Sequence, residues 1–226
     1  MSGLTDLILS QPLLGSTIKT EGNDSDPFAI LSIINLKQHR AHSAVLPLIS
    51  YLLEQLPPHS DIKGLLTEML ASGSKTEIGL ILSARVMNLP VQTMPPTYSM
   101  LLEEIKWAVD DDEQYRFSHY LLLSKVYTEV TSTLDQMNQQ HVKRKKKSAS
   151  KEPEIFYFHA EDEILAKYAI AKASFAFRNH PGSGASDSRR AFQEEGIDPQ
   201  GFLLLFEADR FSTAIQALSS ASDSSE

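Results

Sequence analysis

The sequence predicts an α/β fold with one mixed, mostly central-parallel sheet and helices on both faces. Short apolar runs rich in β-branched residues, such as residues 28–36, are typical of strands that are buried on both sides. Other stretches carry apolar residues at helical spacing, as residues 48–56 do. Helical segments therefore separate several of the strands, and such crossovers usually join parallel neighbours.

Each predicted element has a local signal in the sequence. Strands are predicted at residues 28–36, 77–83, 117–130, 155–158, 173–177 and 201–206. A further strand at residues 15–20 is predicted from the short polar turn that separates it from strand 28–36, as in a hairpin. Helices are predicted to start at the capping residues Ser43, Asp61 and Asp209, at Pro95, and at Glu161. The crossovers predict parallel pairing of strand 28–36 with 77–83 and of 77–83 with 117–130. The first hairpin and the last strands are expected to be antiparallel.

Two segments differ in composition from the rest of the chain. Residues 139–153 are polar and carry five consecutive positive charges, which repel one another, so we expect a flexible loop there. Residues 219–226 are rich in serine, and we expect a disordered tail. The remainder, within residues 1–218, is predicted to form a single domain.

Composition excludes several classes of protein. The chain has 226 residues, a net charge of −8 and no cysteine, so disulfide frameworks, thiolate metal sites and cysteine nucleophiles are excluded. The apolar runs are far shorter than the roughly 18 residues that a membrane span needs. We therefore expect a soluble intracellular protein that binds neither membranes nor a specific nucleic acid.

The sequence predicts no catalytic residue and no metal site. His39 and His42 have the one ligand-like spacing among the histidines, but neighbouring carboxylates that would complete a site are missing. Gln38 lies between a predicted strand and a helix, where Gcn-five-related acetyltransferases bind the acetyl-CoA pyrophosphate with Gln/Arg-x-x-Gly-x-Gly/Ala. Ala41 and Ser43 occupy the positions of the small residues in that motif, which indicates a degraded loop without a bound cofactor.

Several stretches in sequence order carry a resemblance to a known family. They lie at residues 31–36, 79–90, 95–98, 101–105, 117–125 and 158–163. Their order and spacing resemble those of the BCCIP/Bcp family of eukaryotic nuclear proteins, and the resemblance runs from Leu4 to Leu218. Family members carry a further acidic segment, a strand and a helix before the part that matches Leu4, so we expect an unpaired sheet edge here.

The resemblance implies a function as well as a fold. It implies an acetyltransferase-like fold without enzymatic activity, in a protein of the nucleus that shuttles with the cytoplasm. The implied role is a chaperone for one basic large-subunit ribosomal protein, the universal L-fourteen protein, in support of ribosome biogenesis. Fungal members are also linked to nuclear export of a phosphatidylinositol-phosphate kinase, which is a candidate second partner.

Two acidic clusters are candidates for binding such a basic client. They comprise Asp110, Asp111, Asp112 and Glu113, and then Glu161, Asp162 and Glu163. Carboxylates can neutralise the lysines and arginines of a client that would otherwise bind RNA indiscriminately. The alternative for the first cluster is a solvated loop at the end of a helix.

A basic run is a candidate nuclear-import signal that an import receptor would bind. It comprises Lys143, Arg144, Lys145, Lys146 and Lys147. The alternative is a nonspecific RNA contact or a solubilising loop. For the whole chain, the alternative function is that of a working acetyl-CoA-dependent N-acetyltransferase, which rests on fold analogy alone.

Overall fold

A seven-stranded mixed sheet organises the molecule in the computed structural model. The structure describes residues 2–11, 13–86, 88–129, 154–178 and 196–223. The strands are β1 (Ser16–Ile18), β2 (Ala29–Asn35), β3 (Ile78–Arg85), β4 (His119–Glu129), β5 (Ile155–Tyr157), β6 (Ala171–Ala176) and β7 (Ile197–Glu207). All seven predicted strands are thus present, and the β7 strand begins four residues earlier than predicted.

Six α-helices accompany these strands within the described ranges. They are α1 (Ser2–Leu9), α2 (Val45–Gln55), α3 (Asp61–Met69), α4 (Met94–Asp110), α5 (Glu161–Tyr168) and α6 (Ala208–Asp223), and a 3-10 turn at Val91–Thr93 precedes α4. The α1 helix was not predicted. All three predicted caps are displaced, since Ala44 rather than Ser43 precedes α2, Ser60 rather than Asp61 precedes α3, and Asp209 is the second residue of α6. Asp209 lies in the first turn of α6, where its charge favours the helix dipole.

The strand order is β1-β2-β3-β4-β7-β6, and β5 pairs with β4 beside this path. The β3–β4 pair is parallel, and the other pairs among the described strands are antiparallel. The prediction of a mostly parallel centre is therefore wrong, because β2 and β3 are antiparallel. Two helices connect β2 to β3, so the chain leaves and returns at the same end of the sheet, and Asn35 lies opposite Gly79. One long helix, α4, connects β3 to β4 and carries the chain to the opposite end, as a parallel pair requires.

Helices cover both faces of the sheet, as predicted. Leu7, Leu52 and Leu66 of α1, α2 and α3 pack in one core, against Ile34 and Leu80 of the sheet. The opposite core is formed by α4, α5 and α6, which bury the side chains Tyr98, Leu101, Ile105, Leu165, Phe211 and Ile215. The chain is thus a three-layer α/β/α arrangement.

The β3 and β4 strands separate partway along their length. Their pairing ends at Leu82 and Leu123. Beyond this point β5 pairs with β4, where Val126 lies opposite Tyr157. Since β7 occupies the other edge of β4 along its whole length, β5 takes the edge that β3 has left. Arg85, at the end of β3, therefore lies beside the segment that leads from β5 into α5.

Only one of the two predicted irregular segments, the C-terminal tail, lies partly within the described residues. The α6 helix continues to Asp223, so the prediction of disorder from residue 219 is wrong for residues 219–223. The hydroxyls of Ser219, Ser220 and Ser222 donate to the backbone carbonyls four residues earlier, which lets a serine-rich stretch remain helical. The predicted flexible loop at residues 139–153 lies outside the described residues, and the single-domain boundary remains a prediction.

Candidate functional site

The loop after β2 has its own hydrogen-bond network. Asn35 Oδ1 accepts bonds from the backbone N–H groups of Lys37 at 3.0 Å and Gln38 at 3.1 Å. Within the same loop, His39 N donates to Asn35 O, and His42 N donates to His39 O. These N–H groups are therefore already bonded, whereas a pyrophosphate cradle needs them free.

The degraded-motif residues Gln38, Ala41 and Ser43 are all exposed in this loop. His39 and His42 approach with ring centroids 6.5 Å apart. Partial burial and then the neighbouring His42 lower the pKa of His39, which favours the neutral form of the His39 ring. Among the described residues, no group of three or more histidine, aspartate or glutamate side chains could hold a metal ion.

The first acidic cluster caps the C-terminus of α4. Asp111 N donates to Trp107 O, Asp112 N to Val109 O, and Glu113 N to Ala108 O, which is the bonding pattern of a Schellman motif. Asp112 has a φ of 62°, the left-handed conformation that glycine usually adopts at this place. The four carboxylates, from Asp110 to Glu113, are all exposed.

This position is electrostatically unfavourable for acids. The C-terminus of a helix carries a partial negative charge, so carboxylates there are destabilising and basic residues are preferred. The last turn of α4 contains no basic residue. The alternative interpretation of this cluster, a solvated loop at the end of a helix, agrees with the observed geometry. It does not explain why four acids are concentrated at this end of α4.

The second acidic cluster does not form a surface. Glu161 and Asp162 are buried, and only Glu163 is exposed. Glu161 forms an ion pair with Arg85, and the Ser124 hydroxyl donates to Asp162 Oδ2. The expectation that Glu161 and Asp162 present carboxylates to a client is therefore wrong. Glu163 lies 3.3 Å from Lys167 in an exposed pair one turn along α5.

A helical pattern in the sequence could have revealed this burial. Leu165 and Ala166 follow Glu161 and Asp162 by four residues, and all four side chains are buried on one face of α5. The partner of Glu161 was harder to predict, because a polar residue such as Arg85 is common at the end of a strand. Arg85 Nε also donates to His159 Nδ1 at 3.1 Å, so three charged or polar side chains meet there.

Burial shifts the protonation of this cluster. It raises the pKa of Asp162 to about 7, an effect that the Ser124 hydrogen bond opposes and the charge of Glu161 reinforces. Burial, and then the charges of Arg85 and Lys125, lower the pKa of His159 to about 4. A neutral His159 suits its role as acceptor from Arg85. The side chains of Arg85, Glu161 and Asp162 are shielded from water, whereas His159 is only partly buried, and their contacts join β3, β4 and α5.

Two exposed apolar side chains were missed from the sequence. Trp107, the one tryptophan of the chain, is 61% exposed, and Met100 is 51% exposed. Both lie on α4, on the side away from the core. The sequence contained a signal for this exposure. Met100 and Trp107 fall outside the helical stripe of positions 98, 101, 105 and 108, which are buried.

The basic run from Lys143 to Lys147 lies outside the described residues. Within the described ranges, none of the helices has the length and the apolar character needed to cross a bilayer.

Comparison with known proteins gives consistent results. The BCCIP family model matches residues 1–165. Protein bcp1 of Aspergillus oryzae is 47% identical over 96% of this chain and 74% of its own length. Protein bcp1 of Schizosaccharomyces pombe is 43% identical over 96% of this chain and 77% of its own length. None of these names is that of an enzyme.

A solved structure supports the fold. The crystal structure of BCP1 from Saccharomyces cerevisiae superimposes with a TM-score of 0.63 at 21% identity, and the match covers 96% of this chain and 72% of that one. The sequence matches extend over most of the chain, as its motifs predicted, and the chain therefore belongs to the BCCIP/Bcp family.

Proposed function

We propose that this protein is a non-enzymatic nuclear escort of a basic large-subunit ribosomal protein, the universal L-fourteen protein, in support of ribosome biogenesis. The observation that carries the proposal is the exposed carboxylate turn at residues 110–113. Four acids stand at the negative end of a helix dipole, where they do not stabilise the helix. A lysine- or arginine-rich client would neutralise this charge on binding.

The acidic turn can be tested by matched charge reversal. In one variant, Asp110, Asp111 and Glu113 are changed to lysine. In the control variant, Glu21, Asp24 and Asp26 are changed to lysine, since these exposed acids lie in the turn between β1 and β2 and the change in net charge is the same. We expect the affinity for the purified ribosomal protein, measured by calorimetry, to fall on the order of tenfold or more in the first variant only.

A thermal melt of each variant shows whether a loss of affinity comes from misfolding. Lysines at a helix C-terminus favour the dipole, so the first variant should melt no lower than the wild type. Equal affinity in all three proteins would remove the acidic turn from the client site. A wild type that does not bind the ribosomal protein would overturn the proposed function.

An acetyltransferase-like fold without acetyl-CoA chemistry is part of the same proposal. Its support is the loop of Gln38, Ala41 and Ser43, whose neighbouring N–H groups are already bonded within the chain. Titration of the full chain with acetyl-CoA by calorimetry should give no heat of binding. Clear binding would favour the alternative, an N-acetyltransferase.

Entry into the nucleus is proposed to depend on the basic run from Lys143 to Lys147, which an import receptor would bind. Replacing all five residues with alanine should leave the protein in the cytoplasm, as seen by imaging of a fluorescent fusion. Continued nuclear entry would contradict this assignment. Shuttling back to the cytoplasm, and the export of a phosphatidylinositol-phosphate kinase, are proposed on the family resemblance.

A further inference from the structure

The outer side of α4 carries a ridge in which an aromatic ring stands among carboxylates. We name it the α4 ridge, and it consists of Met100, Glu103, Trp107, Asp110 and Asp111. Met100, Glu103, Trp107 and Asp110 follow one another at spacings of three or four residues, and Asp111 lies four residues after Trp107, so these side chains share one face of the helix. All five are exposed, whereas Tyr98, Leu101, Ile105 and Ala108 on the other side are buried.

Trp107 is the centre of this ridge. Glu103 lies one turn before it, and Asp110 and Asp111 lie one turn after it, so carboxylates lie on both sides of the indole ring along the helix. Lys106 is an exposed cation of the same helix, next to Trp107 in sequence. An exposed tryptophan leaves a large apolar area in water, and tryptophan is among the residues most enriched at the energetic centres of interfaces.

The charge of the ridge selects the kind of partner. Nucleic acid and anionic lipid surfaces carry negative charge, which the three carboxylates repel. A second copy of the chain, packed ridge against ridge, would oppose carboxylates to carboxylates. A lysine- or arginine-rich segment fits, because its cations can stack on the indole face and pair with the flanking acids, while its methylene groups contact Met100.

We propose that the α4 ridge is the docking surface for a lysine- or arginine-rich segment of a protein partner, with Trp107 as its anchor. This inference rests on the proposed function for the identity of the partner, and it adds a cation–π contact to the acidic turn. Asp110 and Asp111 therefore belong both to the acidic turn at residues 110–113 and to the α4 ridge.

The lone tryptophan makes the proposal directly measurable. Trp107 supplies all the tryptophan fluorescence of this 226-residue chain. Titration with a synthetic lysine/arginine-rich peptide should change the intensity and the wavelength of this emission, and a glutamate-rich peptide of equal length should not. Added salt should weaken the effect, because exposed charges are screened.

Variants provide an independent readout by calorimetry. Trp107→Ala should weaken binding of the basic peptide about tenfold, and Trp107→Phe, which keeps an aromatic face, should retain part of the affinity. The matched control is Leu46→Ala on α2, because Leu46 is also half exposed, at 52%. It should bind as the wild type does.

The outcomes separate this inference from the proposed function. If the ribosomal protein binds, but neither it nor the peptide alters Trp107 emission and Trp107→Ala binds equally well, the ridge is not the docking surface and the escort function stands. If the peptide binds at Trp107 and the ribosomal protein does not bind, the ridge stands and the proposed client is wrong.

Discussion

Arg85 and Glu161 form an ion pair that is almost completely shielded from water, with 7% and 2% of their side chains exposed. Arg85 ends β3 and Glu161 begins α5, so the pair joins the strand to the segment that takes its place beside β4. The charges are 76 residues apart in sequence numbering, and the pairing depends on the complete tertiary fold. A buried pair of this kind is costly to break on one side only.

Removing one partner of this pair should strongly destabilise the protein. Arg85→Met leaves the Glu161 carboxylate buried without its cation, and we expect the free energy of unfolding to fall by about 3–5 kcal/mol in urea denaturation. Replacing both residues with methionine should cost less than the single change, because no buried charge remains.

The control for this prediction lies on the same helix. Lys167→Met breaks the exposed Glu163–Lys167 pair, and it should cost at most about 1 kcal/mol. Similar losses in the free energy of unfolding for Arg85→Met and Lys167→Met would contradict the burial of the Arg85–Glu161 pair.

Stability should depend on pH through Asp162. Its folded pKa of about 7 lies above the ordinary value of 3.8, so the folded protein holds this proton more tightly than the unfolded chain. The contribution is full below about pH 4 and is lost as the pH rises towards 7. Relative to Asp162→Asn, the wild type should therefore lose about 2–4 kcal/mol over this interval. Parallel pH profiles of the two proteins would contradict the raised pKa.

His159 should affect the pH dependence of stability in the opposite direction to Asp162. Its folded pKa of about 4 lies below the ordinary 6.5, so the unfolded chain binds the proton more tightly. Stability from this group is present above about pH 6.5 and is lost as the pH falls towards 4. His159→Gln should flatten that part of the wild-type profile, as measured by thermal melting between pH 4 and 7. An unchanged slope would show that His159 titrates normally.

Adding a side chain at Gly201 should destabilise the protein. It lies opposite Phe175 in the β6–β7 pair, and an added Cβ would be 2.3 Å from Cζ of the Phe175 ring. Gly201→Ala should lower the free energy of unfolding by about 1–3 kcal/mol, because the buried ring must move. The control is Gly64→Ala in α3, where an added Cβ meets nothing within 4 Å and should stabilise the helix by up to about 1 kcal/mol. Equal effects of the two changes would contradict the close contact at Phe175.

Asp112 should be replaceable by glycine with a gain in stability. Its left-handed backbone is unfavourable for a residue with a side chain, and removing a carboxylate also relieves the helix C-terminus. Asp112→Gly should raise the free energy of unfolding by about 0.5–1 kcal/mol. Asp112→Ala removes the same charge and keeps the steric conflict, so it should gain less. Equal gains for glycine and alanine would assign the effect to charge alone.

Much of the fold could be predicted from local signals. Continuous apolar runs located the central strands β2, β3, β4 and β7, because a strand buried on both faces leaves a strong pattern in the sequence. The direction of β3 relative to β2 was predicted wrongly although both intervening helices were expected, because two successive helices can return the chain to the end of the sheet that it left. The helical continuation beyond Ser219 was missed because serine content suggests disorder, whereas its hydroxyls bond to the helix itself.

The candidate site was less predictable for a related reason. Asp110 and Glu161 both belong to runs of acids, and composition alone does not separate an exposed run from a buried one. The difference arises from tertiary partners, because Arg85 reaches Glu161 and no described cation pairs with Asp110. Trp107 was missed because an aromatic residue in a helix usually faces the core.

The pairing of β4 with β7 has a consequence for synthesis of the chain. Leu122 lies opposite Leu204, so the apolar β4 strand must be translated long before the strand that completes its hydrogen bonding. A nascent chain that has emerged only as far as α5 carries an unpaired, hydrophobic strand edge on the ribosome surface, which is a known hazard for aggregation. Folding of the sheet centre is therefore expected to wait until β7 has been translated, and a protein proposed to escort a ribosomal component would itself need protection while it is being made.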